Sequence, residues 1–423
     1  MNKNFFNELK RLGTLKDFSN GLLDVQKKSL KGYCGFDLTA ESLQIGNLAT
    51  IVLLKRFQNF GYKAIALLGG ATSLIGDPSF KKEERILVDK EEILFRKEKI
   101  SSQLKKLLNN DCEQVQILDN SEWFSKINLI DFLRDTGKFF TVNYLQAKDS
   151  VKERMLSGIS YSEFSYQLFQ AYDFCYLYEN YGVNLQMGGA DQWGNITSGI
   201  ELGRKKMGVG LHGLTIPLVT KSDGSKFGKS ESGKGLWLDK KMTSPYEFYQ
   251  FWINSSDEEA GRYLRVFTLK NLEEIYEIER KHFSNPENRI LQKSLAEDVT
   301  TLVHSKEEME KSRKSSEILF SKEGDLREID NDYFEEIFYN FPTIKIDKSV
   351  LGENLKKVLV DYCQGEIFSS RGDFDRVLRD GGIYINKKKI VDYDDIHLDK
   401  ILIHNKYLVV QRGKKNYFLI KVQ

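Results

Sequence analysis

Two kinds of apolar pattern alternate near the start of the chain. Gly32 to Phe36 and Ala64 to Leu68 are short apolar runs, the second closed by Gly69-Gly70. Such runs predict strands buried on both faces of a parallel sheet. Between them Leu48, Ile51, Leu53, Leu54 and Phe57 recur at helical spacing and predict a helix over 46–57. Strand, helix and strand in that order imply a right-handed crossover. The expected fold class is α/β, with a Rossmann-like parallel sheet. Sheets of this kind bind ligands beyond the carboxyl ends of their strands. Here those ends are Phe36-Asp37 and Gly69-Gly70.

The texture changes after residue 243. Glu, Lys, Leu and Ser dominate 244–324, and segments such as 291–304 repeat apolar residues at helical spacing. This predicts an α-helical domain. Residues 325–351 are mixed and acidic, contain Pro342, and are expected to form a linker. Residues 352–423 predict a small α+β module. Its parts are a basic helix over 370–379, a stop at Gly381-Gly382, and strands over 383–386 and within 401–420. The expected division is therefore 1–243, 244–324, 325–351 and 352–423.

Composition narrows the function classes. No apolar run approaches the length of a membrane span, and Met1 to Glu8 has no secretory leader pattern. Cys34, Cys112, Cys175 and Cys363 are scattered without a Cys-x-x-Cys pair. That argues against a zinc site or disulfide framework and fits a reducing cytoplasm. Net charge is only +2, but unevenly spread. Residues 352–423 carry 14 Lys and Arg against 10 Asp and Glu, and the remainder 49 against 51. A basic tail on a neutral body points to RNA.

Three blocks carry chemistry. Tyr33 to Asn47 reads as strand, turn and helix N-terminus. Helix N-termini present unpaired N–H groups and partial positive charge, which suit phosphate. Gly35 and Gly46 let a nucleotide approach the backbone, and Thr39 and Gln44 can donate hydrogen bonds to phosphate oxygens. Taken alone, Ile-Gly-Asn is an ordinary βα turn. Lys226-Phe-Gly-Lys-Ser230 lies in a Gly-, Ser- and Lys-rich stretch whose lysines can neutralise a pyrophosphate leaving group. Taken alone, it is a solvated basic linker. A Walker-type phosphate loop is excluded, because no Gly-x-x-x-x-Gly-Lys-Ser/Thr follows a predicted strand. Tyr166, Gln170 and Asp173 share one helical stripe, either solvent-facing or lining a pocket. Gln186, Gly188, Gly189, Asp191 and Gln192 gather polar groups in a glycine-rich corner.

Together these blocks resemble class I aminoacyl-tRNA synthetases, and along nearly the whole chain the bacterial tyrosyl-tRNA synthetases. The resemblance implies that Tyr33 and Asp173 bind the tyrosine phenol, and Tyr166, Gln170 and Asp77 its ammonium group. Gln186 and Gln192 would line the same pocket, and Asp191, beside Gly188, would reach the ATP ribose. Asp37, Thr39, Gln44, Asn47 and Thr50 would face ATP. Lys81, Arg85, Lys226, Lys229 and Ser230 would grip the pyrophosphate. Arg204, Lys205 and Lys206 would touch the tRNA acceptor arm. The tail resembles an S4-type RNA-binding domain, with Ser370, Arg371, Arg376, Gly381, Gly382 and Asn386 in register. ATP is implied as a substrate with Mg²⁺, with no tightly bound cofactor and no protein metal site. tRNA(Tyr) and a second copy of the chain are the implied partners. One departure stands out. Where the family usually reads His-x-Gly-His, this chain reads Gln44-Ile-Gly-Asn47. Both amides can donate hydrogen bonds, but neither carries charge. An inactive RNA-binding paralogue, a tryptophanyl enzyme and a small-molecule adenylyltransferase are the alternatives.

Overall fold

The computed structural model describes residues 4–25, 30–79, 88–108, 115–220, 227–228, 235–321, 324–338, 341–393, 396–413 and 416–423, without the side chains of 149, 150, 153, 157 and 332. Lys81, Arg85, Lys226, Lys229, Ser230 and Cys112 lie outside the described residues. The chain forms two compact units, 1–243 with 252–303, and 244–251 with 304–423.

The first unit is built on a parallel sheet of β1 (Lys31–Asp37), β2 (Lys63–Gly69), β3 (Val115–Asp119), β4 (Leu185–Gly189) and β5 (His212–Ile216). The strand order is β3-β2-β1-β4-β5. β1 pairs with β2 from Lys31↔Lys63 to Asp37↔Gly69, and with β4 at Gly32↔Leu185 and Tyr33↔Gln186. The expected strands and the helix between them are all present, the helix spanning Ile45–Asn59. The chain leaves β1 toward β2 on one side and returns to β4 on the other. The strand order therefore reverses between β1 and β4, where a doubly wound sheet opens a crevice for ligands.

The stripe of Tyr166, Gln170 and Asp173 lies on the helix Tyr161–Tyr181. Ser160 caps its start, its hydroxyl accepting from Glu163 N at 3.2 Å. Phe174 and Leu177 of this helix join Tyr33, Ile65, Leu67 and Trp123 in one apolar cluster. Leu168, Ala171 and Cys175 join a second with Phe132, Phe140 and Leu145. Apolar groups thus hold the helix on two sides. Tyr166 and Asp173 face inward and are buried, which rules out the solvent-facing alternative.

The second unit holds a mixed sheet of β6 (Thr343–Ile346), β7 (Ile383–Ile385), β8 (Lys388–Lys389), β9 (Tyr407–Arg412) and β10 (Asn416–Val422), in the order β6-β10-β9-β7-β8. The stretch expected to be a linker contributes β6, which runs parallel to β10 from Thr343↔Leu419 to Ile346↔Val422. Ile344 and Ile346 alternate with exposed Thr343 and Lys345, a period-2 pattern easily lost beside Pro342. Ile401 closes a short helix, Leu398–Ile401, rather than opening a strand. The basic helix spans Arg371–Arg379 with Ser370 as its cap, accepting from Asp373 N at 3.1 Å.

Candidate active site

Around the carboxyl ends of β1, β2, β3 and β4 lie the expected residues Tyr33, Asp37, Asp77, Tyr166, Gln170, Asp173, Gln186 and Gln192. Tyr33, on β1, is 1 % exposed, and its hydroxyl has no hydrogen-bond partner. Burial, and then the nearby Asp173 carboxylate, push its phenol well above the usual range. Asp173 is 2 % exposed. Its Oδ1 accepts from Trp123 Nε1 at 2.8 Å and its Oδ2 from Asn120 Nδ2 at 3.0 Å. Burial pushes this carboxyl up to about 8, although both hydrogen bonds favour the ionised form. Asp37 and Asp119 add like-charge repulsion. A buried carboxylate beside an unsatisfied hydroxyl is ready to receive a hydroxyl-bearing ligand.

The other end of the crevice is a carboxylate–amide corner. Asp77 Oδ1 accepts from Ser79 N at 3.0 Å and Ser79 Oγ at 2.7 Å. Its Oδ2 accepts from Gln192 Nε2 at 3.0 Å, and the same amide donates to Asp191 Oδ2 at 2.8 Å. Gln192 Oε1 in turn accepts from Asn195 Nδ2 at 3.1 Å and, at the 3.5 Å limit, from Gln170 Nε2. Gln186 is buried with an unpartnered Oε1. Tyr166 Oη donates to Asp37 Oδ2 at 3.2 Å, and Thr72 Oγ1 to Asp37 Oδ1 at 3.2 Å. A Cβ at Gly188 would press on Gln192, so the small residue keeps that corner open. Convergent carboxylates and amides suit an ammonium group.

A third subsite is the N-terminus of the helix Ile45–Asn59. Gln44 is its exposed cap residue, and Gln44 N donates to Asn47 Oδ1 at 3.0 Å. That bond turns the Asn47 oxygen inward and leaves its amide hydrogens to donate elsewhere. Thr50 Oγ1 donates to Asn47 O at 2.8 Å. Gly35 and Gly46 are exposed, and a Cβ on either would meet open space. Thr39 is exposed, with its carbonyl held by Arg96 Nη1 at 2.9 Å.

Of the Lys-rich block, Phe227 and Gly228 are described. Phe227 stacks on Phe267, with ring centroids 5.2 Å apart, and meets Tyr263 edge-on at 5.2 Å. Gly228 has φ +89°, and a Cβ there would clash with Ile45. Its carbonyl accepts from Leu236 N at 3.0 Å, while Leu236 O accepts from Ile45 N at 3.0 Å. The second block is thus tied at its centre to the start of the helix that follows the first. Two blocks far apart in sequence meet at one helix N-terminus.

The expected RNA-contact residues lie elsewhere. Arg204 and Lys205 both pair with Glu201, at 2.7 and 3.2 Å. In the second unit Arg371 pairs with Asp361, and Arg376 with Asp373 at 2.8 Å. Asn386 locks the sheet, donating to Ile401 O at 2.6 Å and accepting from Val409 N at 2.9 Å. Among the described residues no group of three or more His, Cys, Asp or Glu side chains could hold a metal ion, and no helix is long and apolar enough to cross a membrane.

Sequence reasoning missed Thr72, Asp119, Asn120, Trp123 and Asn195. Asp119 ends β3, and Thr72, Asn120 and Trp123 lie just beyond the carboxyl ends of β2 and β3, where the same strand-end argument, applied to β3, would have found Asn120 and Trp123.

Known proteins resemble this chain in family, sequence and fold. A family model described as tRNA synthetases class I (W and Y) matches residues 26–321, and a tyrosine–tRNA ligase SYY-like C-terminal domain matches 333–420. The tyrosine–tRNA ligase of Cytophaga hutchinsonii is 47% identical over 426 residues, covering 99% of each chain. That of Bacteroides thetaiotaomicron is 43% identical over 427 residues, again covering 99% of each. Among solved structures, a C-terminally truncated mitochondrial tyrosyl-tRNA synthetase of Aspergillus nidulans superposes with a TM-score of 0.68 at 30% identity, covering 75% of this chain and 94% of its own.

Proposed function

The chain belongs to the class I tRNA synthetases of the tryptophan and tyrosine branch, and from that premise we propose that it is a tyrosine–tRNA ligase. It activates L-tyrosine with ATP to tyrosyl-adenylate and pyrophosphate, then transfers the tyrosyl group to the 3′ end of tRNA(Tyr). The observation that carries the choice of amino acid is the pairing of buried Asp173 with the unpartnered Tyr33 hydroxyl. A tyrosine hydroxyl satisfies both. Phenylalanine leaves the Tyr33 hydroxyl unpaired and brings Asp173 no further donor beside Trp123 and Asn120, which is how a hydrogen-bonding site rejects an analogue lacking the hydroxyl.

In this reading Tyr166, Gln170 and Asp77 hold the ammonium group, and Gln186 and Gln192 line the pocket between. The tyrosine carboxylate attacks the α-phosphate of ATP in line, and the bond to pyrophosphate breaks. Asp191 meets the ribose, with Gly35, Gly46 and Gly188 leaving room for the nucleotide. Asp37, Thr39, Gln44, Asn47 and Thr50 face ATP. Amides at 44 and 47 suffice, because a carboxylate nucleophile has no proton to lose and the demand is on charge stabilisation. Lys81, Arg85, Lys226, Lys229 and Ser230 hold the pyrophosphate, and Mg²⁺ enters with ATP. Arg204, Lys205 and Lys206 meet the acceptor arm, and Arg371 and Arg376 of the S4-like module meet the tRNA. By function, 1–243 serves catalysis, 244–324 the anticodon side and 352–423 RNA, a division that cuts across the two compact units, which group 252–303 with the first sheet and 304–423 with the second. The setting is the cytoplasm, consistent with three buried free thiols at Cys34, Cys175 and Cys363.

The enzyme works as a homodimer. Leu129, Ile130 and Leu133 stand exposed on the helix Leu129–Asp135, apolar surface that a second copy would cover. Sedimentation should give a dimer, and Ile130→Asp should shift it toward monomer. For the reaction, ATP–pyrophosphate exchange with each of the twenty amino acids decides. Tyrosine should support it, with phenylalanine and tryptophan nearly silent. Equal exchange with tryptophan would overturn the pocket, and none with any amino acid would leave an RNA-binding paralogue.

A further inference from the structure

A cluster at the carboxyl end of β3 stands behind the pocket. Asp119 is buried, and its carboxylate accepts from four donors. Oδ1 takes Gly70 N at 3.2 Å and Ser121 N at 2.9 Å. Oδ2 takes Ser121 Oγ at 2.6 Å and Lys97 Nζ at 2.8 Å. A Cβ at residue 70 would collide with this carboxylate, so Gly70 is what lets the turn after β2 close on β3. The next residue, Asn120, is held on every side. Its backbone N donates to Leu68 O at 3.0 Å. Its Oδ1 accepts from Ala71 N at 2.8 Å. Its Nδ2 donates to Thr72 Oγ1 at 3.1 Å and to Asp173 Oδ2 at 3.0 Å.

Resting on the tyrosine reading above, we propose that the Lys97–Asp119 ion pair is a positioning and charge-balancing unit for the phenol end of the pocket, acting on Asp173 through Asn120. Positioning follows from the chain of bonds. Asp119 fixes the turn after β2 against the end of β3, that turn fixes Asn120, and Asn120 orients one of the two oxygens of Asp173. Charge balance follows from the sign of each group. Around Asp173 stand Tyr33 and Asp37 on β1, Asp119 at the end of β3, and Tyr172 and Cys175 on its own helix. The negative charge of Asp119 disfavours ionisation of Asp173. Lys97, on the helix Lys90–Leu108, is one-third exposed and neutralises that charge from the solvent side. The pocket therefore keeps the geometric benefit of a second carboxylate while limiting its electrostatic cost to the first.

The two members must then act in opposite directions. Lys97→Met leaves the charge of Asp119 uncompensated. Asp119→Asn removes the charge while keeping an oxygen for the Gly70 and Ser121 amides. The readout is the dissociation constant of tyrosine, by equilibrium dialysis from pH 6 to pH 9. Both oxygens of Asp173 accept in the structure, so binding should tighten as Asp173 ionises. The midpoint should rise by about half a pH unit in Lys97→Met and fall by about half a unit in Asp119→Asn. A purely structural role would weaken binding without moving the midpoint. Unmoved midpoints, or shifts of the same sign in both variants, overturn the proposal. If Asp119→Asn does not fold, Lys97→Met, at a partly exposed side chain, decides alone: an unmoved midpoint overturns it. A parent protein that neither binds nor exchanges tyrosine sinks the tyrosine reading instead.

Discussion

Tyr166 donates its hydroxyl to Asp37 Oδ2 at 3.2 Å. In the proposed reading this bond joins a residue of the ammonium subsite to one of the nucleotide subsite. Asp37 is fixed from its other oxygen by Thr72, which itself accepts from Asn120. In the proposed reading the two substrates would be held by one continuous polar network, in which each group orients the next.

That network predicts a shared effect. Tyr166→Phe keeps the ring and removes the bond to Asp37. A bond to a charged group is worth roughly 1.5–3 kcal/mol, so the loss should reach ten-fold or more in kcat/KM for pyrophosphate exchange. Both tyrosine KM and ATP KM should worsen. A change in tyrosine KM alone would show that the bond does not couple the subsites.

Asp173 makes stability depend on pH. Its carboxyl is pushed up to about 8 in the folded chain, against ~3.9 when unfolded. A group raised on folding favours the protonated native state. Its contribution is full below about pH 4 and is lost as the pH climbs through 8. Asp173→Asn cannot ionise. Its melting temperature relative to the parent should therefore rise from pH 5 to pH 8 and level off above. A difference that is constant with pH would mean that Asp173 stays charged at no cost.

How much of this was legible beforehand depended on whether the information was local. The β1–helix–β2 unit could be read from Leu48 to Phe57 and the runs around it, because period and composition coincide there. The stripe of Tyr166, Gln170 and Asp173 could be read, but not its burial, which is set by Trp123 and Phe132 packing from outside the helix. Asn120 and Trp123 become legible as pocket residues only once β3 is recognised as a strand, since it is the end of β3 that brings them to Asp173. β6 was missed because four residues after a proline carry too little pattern, and its partner β10 lies some seventy residues on.

The loop lysines should act only on phosphates. Lys226→Ala and Lys229→Ala should each slow adenylate formation roughly 10- to 150-fold and leave tyrosine affinity unchanged, since an interaction made in the transition state appears in kcat. Phe227→Ala removes the stacking on Phe267 that ties the block down and should show the same signature more weakly. Rapid-mixing fluorescence with separate tyrosine titrations checks this. A main effect on tyrosine binding would give the loop another role.

The C-terminal module should matter for charging and not for activation. β6 shares its sheet with β10, so a cut at Gly352 would strand β6, and the cleaner deletion removes 325–423. That variant should keep tyrosine-dependent exchange. Its tRNA charging should fall roughly ten-fold or more and lose much of its salt dependence, since phosphate contacts carry that dependence. Charging kinetics equal to the parent's would make the module dispensable.

Gln44 is the sharpest departure from the family signature, and its placement allows a sharp test. It caps the helix Ile45–Asn59, its side chain is exposed, and its backbone N is bonded to Asn47 Oδ1 at 3.0 Å. Gln44 and Asn47 form a capping box at this helix start, and in the proposed reading the Gln44 amide hydrogens face the nucleotide. Gln44→Ala should remove one bond to a charged phosphate, about 1.5–3 kcal/mol or roughly 10- to 150-fold in adenylation rate, without lowering the melting temperature. Gln44→His restores the usual residue and should leave the rate equal or higher. Asn47→Ala should differ from both, since it loses a phosphate donor and a helix cap together, costing a further ~0.5–2 kcal/mol of stability. Tyrosine affinity should not move in any of the three, because in the proposed reading these residues face ATP and not tyrosine. Unaltered adenylation in Gln44→Ala would mean that charge stabilisation has passed to Thr39, Asn47 and the loop lysines. A parent inactive until rescued by Gln44→His would instead mark a chain that has given up catalysis.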